Sequence, residues 1–189
     1  TVFVFNDYDY LQQMSAGMKT ISRYGTGNAD YTGIAVNNKG FIEVQITNGA
    51  DLPSVKTRLV GLYNLPNVLA AVCAGKTFHV PDDTIKKALE EYTPSNSRSQ
   101  LLEKDGNKII LDAYNANPSS MKLAIENFAK MEGEKVLILG SMMELGEASD
   151  AEHEMIVNLV KEHTWKAVTF TGQGYKNLPS AFLYFNNAA

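Results

Sequence analysis

The chain has 189 residues and a formal net charge of −4; 44% of its residues are hydrophobic and 20% charged, with 14 Gly and 6 Pro. That is the composition of one large or two small globular domains, which excludes a coiled coil, a collagen-like chain and a disordered tail. Neither half is basic: there are 8 basic and 9 acidic residues up to Ser95 and 9 and 12 after it, which argues against nucleic-acid binding through a charged face.

The opening run, Thr1-Val-Phe-Val-Phe5, reads as a short buried strand. It lacks the basic start of a signal peptide and an initiator Met, so the chain reads as a piece of something longer. A weak helix is predicted over 10–18, and strands over 31–36 and 41–47 around an Asn37–Gly40 turn. In the second strand Ile42, Val44 and Ile46 alternate with Glu43, Gln45 and Thr47, the period of a half-buried strand. A further strand is expected over 57–60.

Two helices follow. Leu65, Val68, Leu69 and Val72 share one helical face, with Asn64 placed to cap, Pro66 in the tolerated first turn and Gly75 as the C-cap. Ile85, Ala88, Leu89 and Tyr92 repeat the spacing behind Pro81-Asp82. Thr93-Pro-Ser-Asn-Ser97 is the linker candidate.

After it the rhythm changes. Strands are predicted over 100–103 and 108–113 around Lys104-Asp-Gly-Asn107, a hairpin turn signal. A helix over 118–131 carries Met121, Ala124, Ile125 and Phe128 on one face and ends at Gly133. Then come a strand over 135–139, a helix over 150–163 with Met155, Ile156, Leu159 and Val160 inward, a strand over 166–171 and one over 182–185. Strands alternating with helices argue for a parallel α/β sheet.

In open sheets of this kind, ligands sit beyond the carboxyl ends of the strands, so three loops qualify: 112–117, 140–147 and 172–175. The first is chemically dense. Asp112-Ala-Tyr-Asn-Ala-Asn-Pro118 holds a carboxylate, a phenol and two amides. A carboxylate at a strand end can accept from both hydroxyls of a ribose diol, and an amide both donates and accepts. Asn115 and Asn117 either present those amides to a ligand or serve a turn and a helix cap. Gly75-Lys-Thr77 resembles the end of a phosphate loop, but Ala70 stands where a glycine is required and the triplet sits at a helix end. His79, His153 and His163 lack metal-ligand spacing, so no metal ligand and no catalytic acid, base or nucleophile is assigned. His163, closing a helix, suits its dipole. The single Cys73 excludes an internal disulfide and a Cys-based zinc site, reads as a buried small hydrophobe, and fits a reducing compartment. No apolar run approaches the ~20 residues needed to span a bilayer, so membrane insertion is not expected.

Three ordered motifs carry a family resemblance. Gly61-Leu-Tyr-Asn64-Leu-Pro-Asn67-Val-Leu-Ala-Ala71 resembles the Gly-x-His-Asn-x-x-Asn-x-x-Ala-Ala segment of the Mur ligases. Asp112-Ala-Tyr-Asn-Ala-Asn-Pro-Ser-Ser-Met121 resembles the start of their C-terminal domain, and Val136-Leu-Ile-Leu-Gly-Ser-Met-Met-Glu-Leu-Gly146 a later stretch of it. Tyr63 stands where His is usual and Ser141 where Asp is usual, and no role is carried to either.

The resemblance implies an α/β architecture in two parts: 1–95 as the C-terminal part of a central ATPase domain, with mixed strands and two helices, and 96–189 as a Rossmann-like C-terminal domain cut short at its end. It implies a cytoplasmic, ATP- and Mg2+-dependent ligase of peptidoglycan precursors working through an acyl phosphate, with the magnesium ligands upstream and this chain alone inactive. The Tyr-Asn-Ala-Asn-Pro form implies UDP-N-acetylmuramoyl-tripeptide and D-alanyl-D-alanine as substrates. By resemblance Asn64 and Asn67 lie near the adenine, Arg98 reaches the nucleotide, Asp112 holds the ribose, and Tyr114, Asn115 and Asn117 line the dipeptide side. The alternatives are another Mur or folylpolyglutamate-type amide ligase, and a non-catalytic nucleotide-binding module.

Overall fold

Apolar faces must be buried against a partner layer, and this chain does so twice. A computed structural model describes residues 1–37, 40–95, 97–177 and 182–186 and resolves them into two units. The first comprises Thr1–Ser95 and Ser99–Ile110; the second takes in Ser97, Arg98 and the chain from Leu111 on. The expected turn at Asn37–Gly40 falls mostly outside the described residues, as does Asn96 of the linker candidate.

The first unit is built on a mixed five-stranded sheet in the order β1-β2-β3-β4-β5: β1 (Val2–Phe5), β2 (Ile21–Gly25), β3 (Tyr31–Asn37), β4 (Phe41–Asn48) and β5 (Val55–Val60). The first three run parallel and the last two are added antiparallel. The alternation in β4 is realised, with Ile42, Val44 and Ile46 buried. β2 lies outside every expected element. Ile21-Ser-Arg-Tyr-Gly25 has no apolar alternation; it is a strand because β1 and β3 pair with it on both edges. α1 (Asp9–Met14) is shorter than expected: it buries no residue and Met14 is 70% exposed, so no packed face prolongs it.

α2 (Leu65–Thr77) lays Val68, Leu69, Val72 and Cys73 on the sheet, and α3 (Asp82–Glu91) adds Ile85. At roughly 1.5–3 kcal/mol for each fully buried aliphatic side chain, that face outweighs any cap, which is worth about 1 kcal/mol. Two cap assignments are corrected. Asn64 occupies the N-cap position in a helical conformation and makes no side-chain cap bond, because a 3-10 turn over Leu62–Asn64 already leads into the helix. Gly75 lies inside α2, where an added Cβ would come within 2.8 Å of Ile85 Cδ1, so it permits close approach of α3. The helix is closed instead by left-handed His79 (φ 58°): His79 N–H donates to Lys76 O and Val80 N–H to Gly75 O, a Schellman pair.

β6 (Gln100–Lys104) and β7 (Asn107–Leu111) form a two-stranded ribbon. Its turn has positive φ at both Asp105 (51°) and Gly106 (76°), the type I′ geometry that the Asp-Gly pair predicts.

The second unit carries α4 (Pro118–Ala129), β8 (Val136–Gly140), α5 (Ser149–Lys161), β9 (Ala167–Thr171) and β10 (Leu183–Phe185). The strands form a parallel sheet in the order β10-β9-β8, as the strand–helix alternation predicts. Met121 and Ile125 of α4 join Leu137, Val168 and Phe170 in its core. The α5 face is corrected: His153, Ile156, Val157 and Val160 are buried, Leu159 is partly buried, and Met155 is 40% exposed. The inward stripe is turned because His153 finds polar partners inside. No described helix is long and apolar enough to cross a membrane.

Candidate functional site

In the first unit, Gly61 turns the chain out of β5 with φ 88°, and a Cβ there would fall 2.3 Å from the Tyr63 ring, so only glycine fits. Tyr63 folds back over it, its hydroxyl 2.9 Å from Ser99 Oγ. Asn64 is 6% exposed and engaged at both ends of its amide. Its Nδ2 donates to Val60 O (2.8 Å) and its Oδ1 accepts from Asn67 Nδ2 (2.9 Å). The structure therefore brings Asn64 and Asn67 together, one as a buried strut and the other exposed at the helix start. The Asn67 oxygen and second amide hydrogen are of the kind that pairs with a heteroaromatic base edge.

The other five predicted residues lie in the second unit. Arg98 sits between two left-handed serines, Ser97 (φ 58°) and Ser99 (φ 48°), a conformation costing each about 1–2 kcal/mol relative to right-handed backbone. Ser97 O accepts from both Ala113 N–H (2.8 Å) and Tyr114 N–H (3.2 Å), tying the Arg98 segment to the start of the 112–117 turn. The Arg98 guanidinium then lies over the Tyr114 ring, 3.7 Å from its centroid. Both side chains are exposed, Tyr114 by 61%. Asp112 is exposed directly after β7.

The two asparagines serve the backbone. Asn115 Oδ1 accepts from Ala116 N–H at 2.9 Å, and Asn117 Oδ1 accepts from Ser120 N–H at 2.9 Å in a reciprocal capping box that starts α4. Their carbonyl oxygens are engaged, whereas the side-chain NH2 groups remain chemically able to donate. The turn thus offers amide donors beside a guanidinium and a carboxylate, which suits an anionic or carbonyl-bearing ligand. One expectation is corrected: 112–117 does not leave the parallel sheet, because β7 pairs with β6 and not with β8.

The two loops that do leave that sheet are held together. Ser141 N–H donates to Thr171 O at 2.9 Å, and Met142 N–H donates to Nε2 of His153 at 2.9 Å. With Nε2 accepting, the ring proton is on Nδ1, which donates to Ser149 O at 2.7 Å. His153 is fully buried, and Tyr175 meets it edge-on at 4.7 Å. A Cβ on Gly174 would come within 2.1 Å of Nε2, so that glycine makes room for the ring. Sequence reasoning assigned His153 no role. The signal was present, since residues 153, 156, 157 and 160 have the spacing of an inward helical stripe.

The Gly75-Lys-Thr77 triplet is structural: Lys76 is ion-paired with Asp82, and Thr77 Oγ1 lies 3.2 Å from Ser22 Oγ. Lys76, then the Asp51 N–H, holds the Asp82 carboxyl below its usual range. Cys73 is buried and free, and burial, reinforced by the negative charge of Asp30 and opposed by a Thr77 hydrogen bond, pushes its thiol up to about 11. Among the described residues no group of three His, Cys, Asp or Glu is placed to hold a metal ion.

A parallel strand–helix unit led by an Arg–Tyr stack and an Asp- and Asn-bearing turn has the makings of a ligand-binding α/β domain. Residues 97–184 match the family described as Mur ligase, glutamate ligase domain, which identifies that part of the chain as a Mur ligase domain. It is similar to the UDP-N-acetylmuramoyl-tripeptide–D-alanyl-D-alanine ligase of Bacillus subtilis, 38% identical over 99 residues, covering 51% of this chain and 22% of that protein. The ligase of the same name from Escherichia coli is 31% identical over 159 residues, 81% of this chain and 35% of that protein. The chain therefore spans between a fifth and little more than a third of the length of these relatives. The crystal structure of MurF ligase from Thermotoga maritima in complex with ADP superposes with a TM-score of 0.84 over 98% of this chain and 44% of that one, at 21% identity, a likeness of fold.

Proposed function

We propose that this chain is the C-terminal portion of an ATP-dependent ligase that joins D-alanyl-D-alanine to UDP-N-acetylmuramoyl-tripeptide in the cytoplasm. The observation that carries the proposal is the similarity over 81% of the chain to a ligase of that name, with Asp112-Ala-Tyr-Asn-Ala-Asn-Pro118 on an exposed turn beside Arg98. In such a reaction the tripeptide carboxylate attacks the γ-phosphorus of ATP and ADP leaves. The dipeptide amine then attacks the acyl phosphate carbon, and phosphate leaves. The chemistry needs orientation and charge neutralisation more than an acid or base from this chain. The division into a central-domain part over 1–95 and a C-terminal domain over 96–189 belongs to the same reading.

In this reading Asn67, fixed by Asn64, meets the adenine. Arg98 meets the phosphates with its planar donors, and Asp112 accepts from the ribose hydroxyls. Tyr114 forms one wall of the acceptor side, where the donor groups of Asn115 and Asn117 suit the carboxylate and amide oxygens of a dipeptide. No residue of this chain is assigned to magnesium. The test is turnover by a full-length ligase carrying this sequence, with D-alanyl-D-alanine set against single amino acids and glutamate as acceptor. Preference for a single amino acid would replace the substrate assignment. An Asp112→Ala variant with unchanged ATP affinity and turnover would remove the ribose assignment. The 189-residue chain alone is expected to bind ATP weakly in calorimetry and to show no ligase turnover.

A further inference from the structure

The residues assigned to two different substrates touch each other: the Arg98 guanidinium carbon lies over the Tyr114 ring, 3.7 Å from its centroid. We infer that Tyr114 is a positioning residue for Arg98, holding the guanidinium in the orientation in which it meets the nucleotide; the inference rests on the nucleotide reading of Arg98 proposed above. Three features support it. First, the stack is not a by-product of core packing, because both partners are exposed. Second, the backbone is built to make it. Arg98 is flanked by left-handed Ser97 and Ser99, and Ser97 O binds the N–H groups of Ala113 and Tyr114, which sets the two segments side by side. Strained backbone held in place by its surroundings is characteristic of functional sites. Third, the geometry leaves the donors usable. A cation–π contact centred on the guanidinium carbon needs none of the N–H groups as hydrogen-bond donors, so phosphate oxygens can still meet them in pairs.

Tyr114 is therefore not only a wall of the acceptor side. A ligand that fixes its ring also fixes the arginine, and the linkage is reciprocal. The test measures ADP affinity by calorimetry, and KM for ATP and for D-alanyl-D-alanine, in the full-length ligase carrying this sequence. Tyr114→Leu is expected to weaken ADP binding about three- to fivefold, the size of an exposed cation–π contact, and Tyr114→Phe to restore it to within about twofold because the ring face remains. In an Arg98→Ala background, Tyr114→Leu adds nothing further to the ADP dissociation constant. If Tyr114→Leu raises only the dipeptide KM, or if the two substitutions add independently, the positioning role is wrong while the nucleotide reading stands. If Arg98→Ala itself leaves ADP affinity unchanged, the nucleotide reading of Arg98 fails and the inference fails with it.

Discussion

Two polar regions of the second unit are built in opposite ways. Around His153 every polar group looks inward: the ring is fully buried, both nitrogens are bonded, and Gly174 is small so that the ring can fit. Around Arg98 the side chains look outward. The guanidinium, Asp112, Tyr114, Asn115 and Asn117 are all exposed, and the strain is in the backbone beneath them. The contrast separates groups that hold loops in place from groups left at the surface. A buried histidine with saturated nitrogens has no capacity left for a ligand, whereas an exposed stacked arginine has most of its donors left.

The largest expected effect breaks the buried side. His153→Phe leaves the buried Met142 N–H without its acceptor and takes the Nδ1 donor from Ser149 O, and should lower unfolding free energy in urea by roughly 2–4 kcal/mol, about 1–3 kcal/mol for the unsatisfied N–H together with the cost of fitting a larger ring beside Gly174. A loss below about 0.5 kcal/mol would mean that water reaches those groups and that the region is not the closed scaffold described. In the first unit, Asn64→Leu is the smaller analogue. It removes the donor to Val60 O and the acceptor for Asn67, at about 1–3 kcal/mol.

Alkaline pH sharpens the contrast further. Burial raises the Tyr175 phenol above its ordinary value, and Cys73 is pushed from 9.0 to about 11. Both groups keep their protons in the folded state after the unfolded chain has released them. Stability is thus fully present below pH 9 and falls from there toward 11 for Cys73, and above about 10 for Tyr175. Denaturation midpoints measured from pH 8 to 11 check this; a flat profile counts against the burial of both groups. The smallest effect is on the presented side. Tyr114→Leu should change stability by no more than about 0.5–1 kcal/mol, because an exposed stack contributes little to folding. A much larger loss would make the Arg98–Tyr114 contact a structural element.

Legibility follows the same division. Periodicity revealed β4 and the faces of α2 and α4, because burial of one face leaves a repeat in the sequence. The Asp-Gly turn of the β6–β7 ribbon and the Asn117 cap were equally plain, since local backbone chemistry specifies them. β2 was not legible, because its strand character comes from neighbours on both edges. Gly75 was misread as a cap because a glycine near a helix end looks the same whether it turns the chain or admits another helix. His153 was passed over because a search for metal spacing does not detect a histidine that serves backbone groups. All seven predicted site residues could be named from motifs, but apart from the turn and cap roles of Asn115 and Asn117 their contacts could not.

The sequence by itself determined the strand–helix alternation of the second unit, the polar turn at 112–117 and the family resemblance, because these depend on local propensity and on the order of residues. Only the tertiary structure decided that Asn64 is a buried strut for Asn67, that His153 locks the loops after β8 and β9, and that Arg98 rests on Tyr114. Each of those facts depends on which groups are brought together after water is excluded or backbone segments are paired, and residue order alone does not specify that.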